Sequence, residues 1–93
     1  MSDHLTFRLV TPDGIIKERD CRAVILIAAD GENGEGGGSF GILPGHAPAI
    51  VALAENSAVK LKLEDGNTDV FSVSGGFAEI KNDTVTVICE RVG

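Results

Sequence analysis

The chain predicts an all-β fold, a sandwich or barrel of short strands, and three observations lead there. Apolar residues alternate with polar ones at period two along most of its length. Turn-forming groups of Gly, Pro, Asn and Asp separate the alternating runs at short intervals. The chain has four Phe and neither Trp nor Tyr, so the core must be filled by Val, Ile, Leu and Ala, residues suited to a pleated, half-buried surface. With 93 residues there is length for one domain, residues 1–93, and one core.

In chain order, Leu5, Phe7 and Leu9 alternate with Thr6 and Arg8, and Thr11-Pro12-Asp13-Gly14 supplies a tight turn. Ile15 to Asp20 reads as a short, solvent-edged strand. Cys21 to Ala28 is a near-continuous apolar run, as in a strand covered on both faces or covered partly by a partner. The segment Asp30 to Gly38 is of low complexity and reads as a flexible loop. Ala49 to Leu53 reads as a strand or one helical turn, since its short length and Pro48 disfavour a stable helix. Val59, Leu61 and Leu63 alternate with Lys60 and Lys62, an ordinary solvated strand face. Glu64-Asp65-Gly66-Asn67 then turns the chain into Val70 to Val73. Phe77 to Ile80, a Lys81-Asn82-Asp83 turn, and Val85, Val87 and Cys89 against Thr84 and Thr86 complete the pattern.

Composition excludes several functions. The net charge of −6 and isoelectric point near 4.7 oppose nucleic acid, whose binding is driven by Lys and Arg. The same sign opposes anionic lipid heads. No apolar run approaches the roughly 20 residues that span a bilayer, and the start Met1-Ser2-Asp3-His4 lacks a signal-peptide pattern. The expectation is therefore no nucleic acid and no direct membrane insertion. Cys21 and Cys89 lie in strand-like sequence and read as reduced, buried thiols.

Candidate chemistry is sparse. A phosphate cradle at Gly31 to Gly38 would set Asp30, Glu32 and Glu35 against the anion and lacks the Lys-Ser/Thr pair. The same acids miss the order of a calcium loop. No nucleophile-elbow pattern surrounds Ser39, Ser72 or Ser74, and His46 on residue logic is a turn histidine. No cofactor, catalytic group or metal site is expected.

The informative residues are Ser39-Phe40-Gly41-Ile42-Leu43-Pro44-Gly45-His46-Ala47-Pro48, followed by Val73-Ser74-Gly75-Gly76-Phe77 and a closing Val85-Thr86-Val87 strand. Apolar residues interleaved with Gly and Pro mould a surface rather than a reaction centre. In order and spacing these motifs resemble the epsilon subunit of F-type rotary ATP synthases, over Leu5 to Ile88. The resemblance implies a flattened β-sandwich of about ten short strands, with no catalysis of its own, clamped to the foot of the gamma subunit and touching the ring of c subunits. It implies a gamma interface at Leu43, Pro44, Gly45, His46, Ala47, Pro48 and Ile50, and a c-ring contact at Glu35, Gly38, Ser39 and Phe40. It implies a structural turn at Ser74, Gly75 and Gly76, and a peripheral location on the cytoplasmic side of a bacterial inner membrane.

The chain departs from that pattern in three places. A Gly-rich extension precedes Phe40, with Ser39 where the family has an acid. Glu55-Asn56-Ser57 replaces a common Lys-Pro-Gly. The chain ends at Glu90-Arg91-Val92-Gly93 where most members continue into a two-helix hairpin that restrains ATP hydrolysis and in some members binds ATP; neither property is expected here. A rotor role requires one face with exposed apolar residues, and Leu43, Pro44, Ala47 and Ile50 are where the sequence directs attention. The rival is a free-standing sandwich that captures a metal or small ligand on the Asp30 to Gly38 loop; a hydrolase built on His46 is the weakest reading.

Overall fold

The computed structural model describes residues 4–29 and 38–93. Among them are nine strands and no helix: β1 (Leu5–Thr11), β2 (Gly14–Cys21), β3 (Ala23–Ile27), β4 (Ser39–Ile42), β5 (Ala49–Leu53), β6 (Ser57–Lys62), β7 (Thr68–Val73), β8 (Gly76–Lys81) and β9 (Thr84–Ile88). They form a five-stranded sheet, β2-β1-β9-β8-β5, against a four-stranded sheet, β4-β3-β6-β7. The molecule is the expected flattened sandwich, with extents of 38 × 27 × 22 Å. A short terminal segment adds to β7, where Val92 bridges Val73 and Ser72 exchanges both backbone hydrogen bonds with Gly93.

Period-two alternation places one set of side chains inside each sheet. Leu5, Phe7, Leu9, Val24, Leu26, Ile42, Val59, Leu61, Val73, Ile80, Val85 and Val87 are all less than 2 % exposed. Phe7 is the one Phe among these core residues; Phe71 is half-buried against it with ring centroids 5.7 Å apart. Both cysteines are free and buried. Burial pushes the Cys21 thiol up to about 11, with Asp20 adding to the rise, and burial also raises Cys89.

Three expectations gain detail. The Cys21 to Ala28 run is not one strand: it breaks at the exposed Arg22, so Cys21 ends β2 in one sheet and Ala23 begins β3 in the other. The Arg22 amide turns to the Lys62 carbonyl at 2.7 Å, which anchors the crossing. Of the outward positions of β3, Ala23 is buried while Ile25 and Ile27 stay half-buried, so the outer face is only partly covered. Ala49–Leu53 is a strand paired antiparallel to β8. The Asn82-Asp83 loop has φ of 51° and 57°, the two positive values of a type I′ hairpin turn.

The sheets are stitched on both sides. At one, the Ala29 amide donates to the Ala52 carbonyl and the Ala54 amide to the Ile27 carbonyl. At the other, Lys17 on β2 donates to Asp69 on β7 at 2.9 Å, with Arg19 at 3.7 Å, and the Lys17 ammonium lies 4.9 Å from the Phe71 ring centre. The hydrogen bond from Lys17 holds the Asp69 carboxyl below its ordinary value. A depressed carboxylate contributes stability above its unfolded pKa and loses it as the pH falls. Asp69→Asn is expected to lower unfolding free energy at pH 7 by about 0.5–1 kcal/mol, given the partial exposure of the pair. That deficit should narrow below about pH 4. Urea titrations of both proteins at pH 7 and pH 3 check this, and an unchanged deficit at pH 3 would remove the ion pair as its cause.

Candidate functional site: an exposed apolar face and a braced corner

The Pro-Gly corner is a turn built by its own residues. The His46 amide donates to the Leu43 carbonyl at 3.2 Å, and Gly45 takes φ of +87° between them. Pro at the second position and a positive-φ Gly at the third define a type II turn. A distant residue braces it: the Gly45 amide donates to Asp83 Oδ1 at 2.7 Å, tying the corner to the β8–β9 hairpin. His46 Nδ1 lies 2.7 Å from the Ala47 carbonyl oxygen. Gly45, His46, Ala47 and Pro48 are exposed, Pro44 is half-buried and Leu43 is 61 % exposed.

Ile50, 73 % exposed, is the most exposed large hydrophobic residue among those described, and it lies on the outer face of β5. Strand register shows what surrounds it. Ala52 pairs with Phe77, Phe77 with Ile88, Ile88 with Val10 and Val10 with Ile15. These five positions form one apolar row across the whole five-stranded sheet, about 19 Å long at ordinary strand spacing. Phe77 is 56 %, Ile88 51 % and Ile15 62 % exposed; Ala52 is exposed and Val10 half-buried. The register slips between Leu9 and Val10, a bulge that places the exposed Ile16 beside Ile15 at the sheet edge. The next row is Ile50, Glu79, Thr86, Arg8 and Glu18, of which Arg8 and Glu18 pair at 2.7 Å.

The Ser74-Gly75-Gly76 turn leads into β8 directly before Phe77 and so borders this apolar row. Ser74 Oγ accepts the amides of Glu90 and Arg91 at 3.2 and 3.0 Å, and the Ser74 amide donates to the Arg91 carbonyl. One hydroxyl thereby fastens the terminal segment to β7. Gly75 and Gly76 have φ of +103° and +125°, conformations open to glycine. Between them and Pro12, Phe77 and Ile88 runs an apolar groove of about 480 Å³. Ser74→Ala is expected to cost about 1 kcal/mol and to speed amide exchange at Ser72 and Gly93 without affecting β1 or β9. Uniform acceleration across the protein would show a global rather than a local role.

Of the expected c-ring contact, Gly38 has φ of +86° and its carbonyl accepts the Ala28 amide, and Ser39 and Phe40 begin β4 opposite Ile27 and Leu26. Glu35 lies outside the described residues, as do Asp30 and Glu32. Leu43 and Pro44 also line a second cleft of about 780 Å³ with Arg22, Lys62 and Leu63. Among the described residues no group of three or more His, Cys, Asp or Glu is placed to hold a metal ion. No described helix is long and apolar enough to cross a membrane.

Sequence reasoning reached the corner and Ile50 but not the apolar row. A signal was present. Phe77 is out of phase with the buried Ala78 and Ile80, Ile88 with Val85 and Val87, and Val10 with Leu5, Phe7 and Leu9. Each is an apolar residue at a position that alternation assigns to the outer face.

The features together define a β-sandwich with an exposed apolar row on one sheet and a braced Pro-Gly corner. Comparison with known proteins places it more closely. Residues 4–92 match the model of the ATP synthase delta/epsilon chain β-sandwich domain. The chain is 43% identical over 82 residues to the ATP synthase epsilon chain of an Exiguobacterium species, covering 88% of this chain and 54% of that one. It is 45% identical over 80 residues to the epsilon chain of Bacillus thuringiensis, covering 86% and 53%. The chain therefore belongs to the delta/epsilon family of ATP synthase chains, and it spans about half the length of these relatives.

Solved structures agree on the fold. A chain in the Euglena gracilis mitochondrial ATP synthase superposes with a TM-score of 0.80 at 23% identity, covering 100% of this chain and 54% of that one. A chain in the central stalk and c-ring of the Tetrahymena thermophila enzyme gives 0.70 at 14%, covering 96% and 65%.

Proposed function

We propose that this chain is a non-catalytic part of the central stalk of a proton- or sodium-translocating ATP synthase, fastening the gamma subunit to the c ring so that rotation is transmitted between ion flow and nucleotide chemistry. Family membership supports the assignment. The observation that carries the mechanical reading is the apolar row Ala52-Phe77-Ile88-Val10-Ile15 on an outer sheet face, with Ile50 beside it. Exposed apolar area of this continuity marks a protein contact.

Torque transfer needs a stiff body between its two contacts. The sandwich supplies it through a buried apolar core and stitches on both sides, and the Asp83 brace makes the corner move with the hairpin. In this reading gamma covers the corner and the five-stranded face. The c ring meets the β4 end at Gly38, Ser39 and Phe40 with the segment carrying Glu35. The protein acts peripherally, at the cytoplasmic side of a bacterial inner membrane.

Calorimetric titration of the cognate gamma subunit tests this, with His46→Lys beside the wild type. One-to-one binding is expected, weakened at least tenfold by an ammonium desolvated at the corner. Absence of wild-type binding to folded gamma would sink the rotor reading and favour a free-standing ligand-binding module.

A further inference from the structure

The geometry points to His46 Nε2 as a hydrogen-bond acceptor presented to the partner, so that the group meeting the Pro-Gly corner is a donor: an arginine guanidinium, a lysine ammonium or an N–H. This deepens the gamma reading and rests on it.

A carbonyl oxygen only accepts hydrogen bonds. His46 Nδ1 lies 2.7 Å from the Ala47 carbonyl oxygen, a hydrogen-bond distance, so Nδ1 carries the hydrogen. A neutral imidazole holds one N–H, and with that hydrogen on Nδ1 the lone pair is on Nε2. The bond to Ala47 thus selects the tautomer and orients the ring. No other bond to the ring occurs among the described residues, and His46 is exposed, which leaves Nε2 available to a second molecule.

The corner under the ring is held from two directions. The turn bond from the His46 amide to Leu43 fixes the local backbone, and the Gly45 amide is gripped by Asp83 in the β8–β9 turn. An acceptor on a braced turn is positioned before binding, which reduces the ordering cost at an interface. Its neighbours Ala47 and Pro48 are exposed, and Pro48 has no N–H to offer. A donor on the partner therefore finds a complementary atom here. An acceptor on the partner would instead meet a lone pair.

Two measurements test this. Long-range nitrogen–proton spectra of the isolated, labelled chain at pH 8 should show a protonated Nδ1 and a bare Nε2 for His46; the opposite tautomer would overturn the proposal without reference to gamma. Calorimetry against cognate gamma at the same pH then compares His46→Gln, whose side-chain carbonyl restores an acceptor, with His46→Phe, which keeps a ring and removes it. Gln should bind within about threefold of wild type and Phe about tenfold more weakly, since the donor is left unpaired. Equal affinities for wild type and Phe would reject the acceptor role while leaving gamma binding intact. Failure of the wild type to bind would reject the gamma reading and this inference with it. Thermal midpoints of both variants confirm folding, which an exposed position should preserve.

Discussion

Gly76→Ala is expected to destabilise the sandwich by about 3 kcal/mol or more, the largest loss among alanine substitutions of the described glycines. Two costs combine. A φ of +125° lies where L-residues rarely go, and a Cβ built there would overlap the Ile88 carbonyl oxygen and stand 3.1 Å from Cys89 Cα. Both neighbours are backbone, so no side chain can rotate aside. Gly76 opens β8, next to the Phe77↔Ile88 pair, and relief would require β8 and β9 to separate there. Gly66→Ala is the control, because Gly66 has φ of +91° and nothing within 4 Å of its would-be Cβ. It carries the backbone cost alone, about 1 kcal/mol. Urea denaturation should show the Gly76 variant losing clearly more than the Gly66 variant. Equal losses would mean that the close approach to β9 contributes nothing.

The inner surfaces of this fold were legible because alternation carries the information directly. Leu5, Phe7 and Leu9, or Val85 and Val87, declare their buried face from sequence spacing. The partition into two sheets was not legible, since alternation is the same whichever sheet a strand joins. The break at Arg22 has no Gly or Pro to announce it and depends on a backbone bond to Lys62, forty residues away in the chain by numbering. The parallel pairing of β1 with β9 joins opposite ends of the described chain and follows from no local signal.

The same distinction applies to the site. Pro44 and Gly45 mark the corner because their backbone requirements are local. The Asp83 brace is invisible, because Asp83 reads as a hairpin residue and meets Gly45 only after both elements have folded. The apolar row is hidden for a related reason. Its members come from five strands, and they become one surface only when the register sets Val10 beside Ile88 and Ile88 beside Phe77. A single exposed Ile is ordinary on a protein surface, whereas five aligned positions are not.

That row yields the second large effect. Phe77→Ser combined with Ile88→Ser is expected to weaken binding to gamma by about a hundredfold or more, because the adjacent pair lies at the middle of the row. Stability should change little, since both side chains are more than half exposed in the isolated chain. Removing two exposed apolar groups should also reduce self-association of the free protein. Ile15→Ser at the sheet edge is the informative comparison: it removes a similarly exposed residue from the rim, where a contact contributes less. Calorimetric titration of gamma with the three proteins, alongside their urea midpoints, separates the outcomes. Loss of affinity in the double variant with unchanged stability places the contact on the five-stranded face. Unchanged affinity would move gamma off this face, leaving the Leu43 to Pro48 corner and the opposite sheet, where Ile25, Ile27 and Val70 lie on the outward side, as the surfaces that remain.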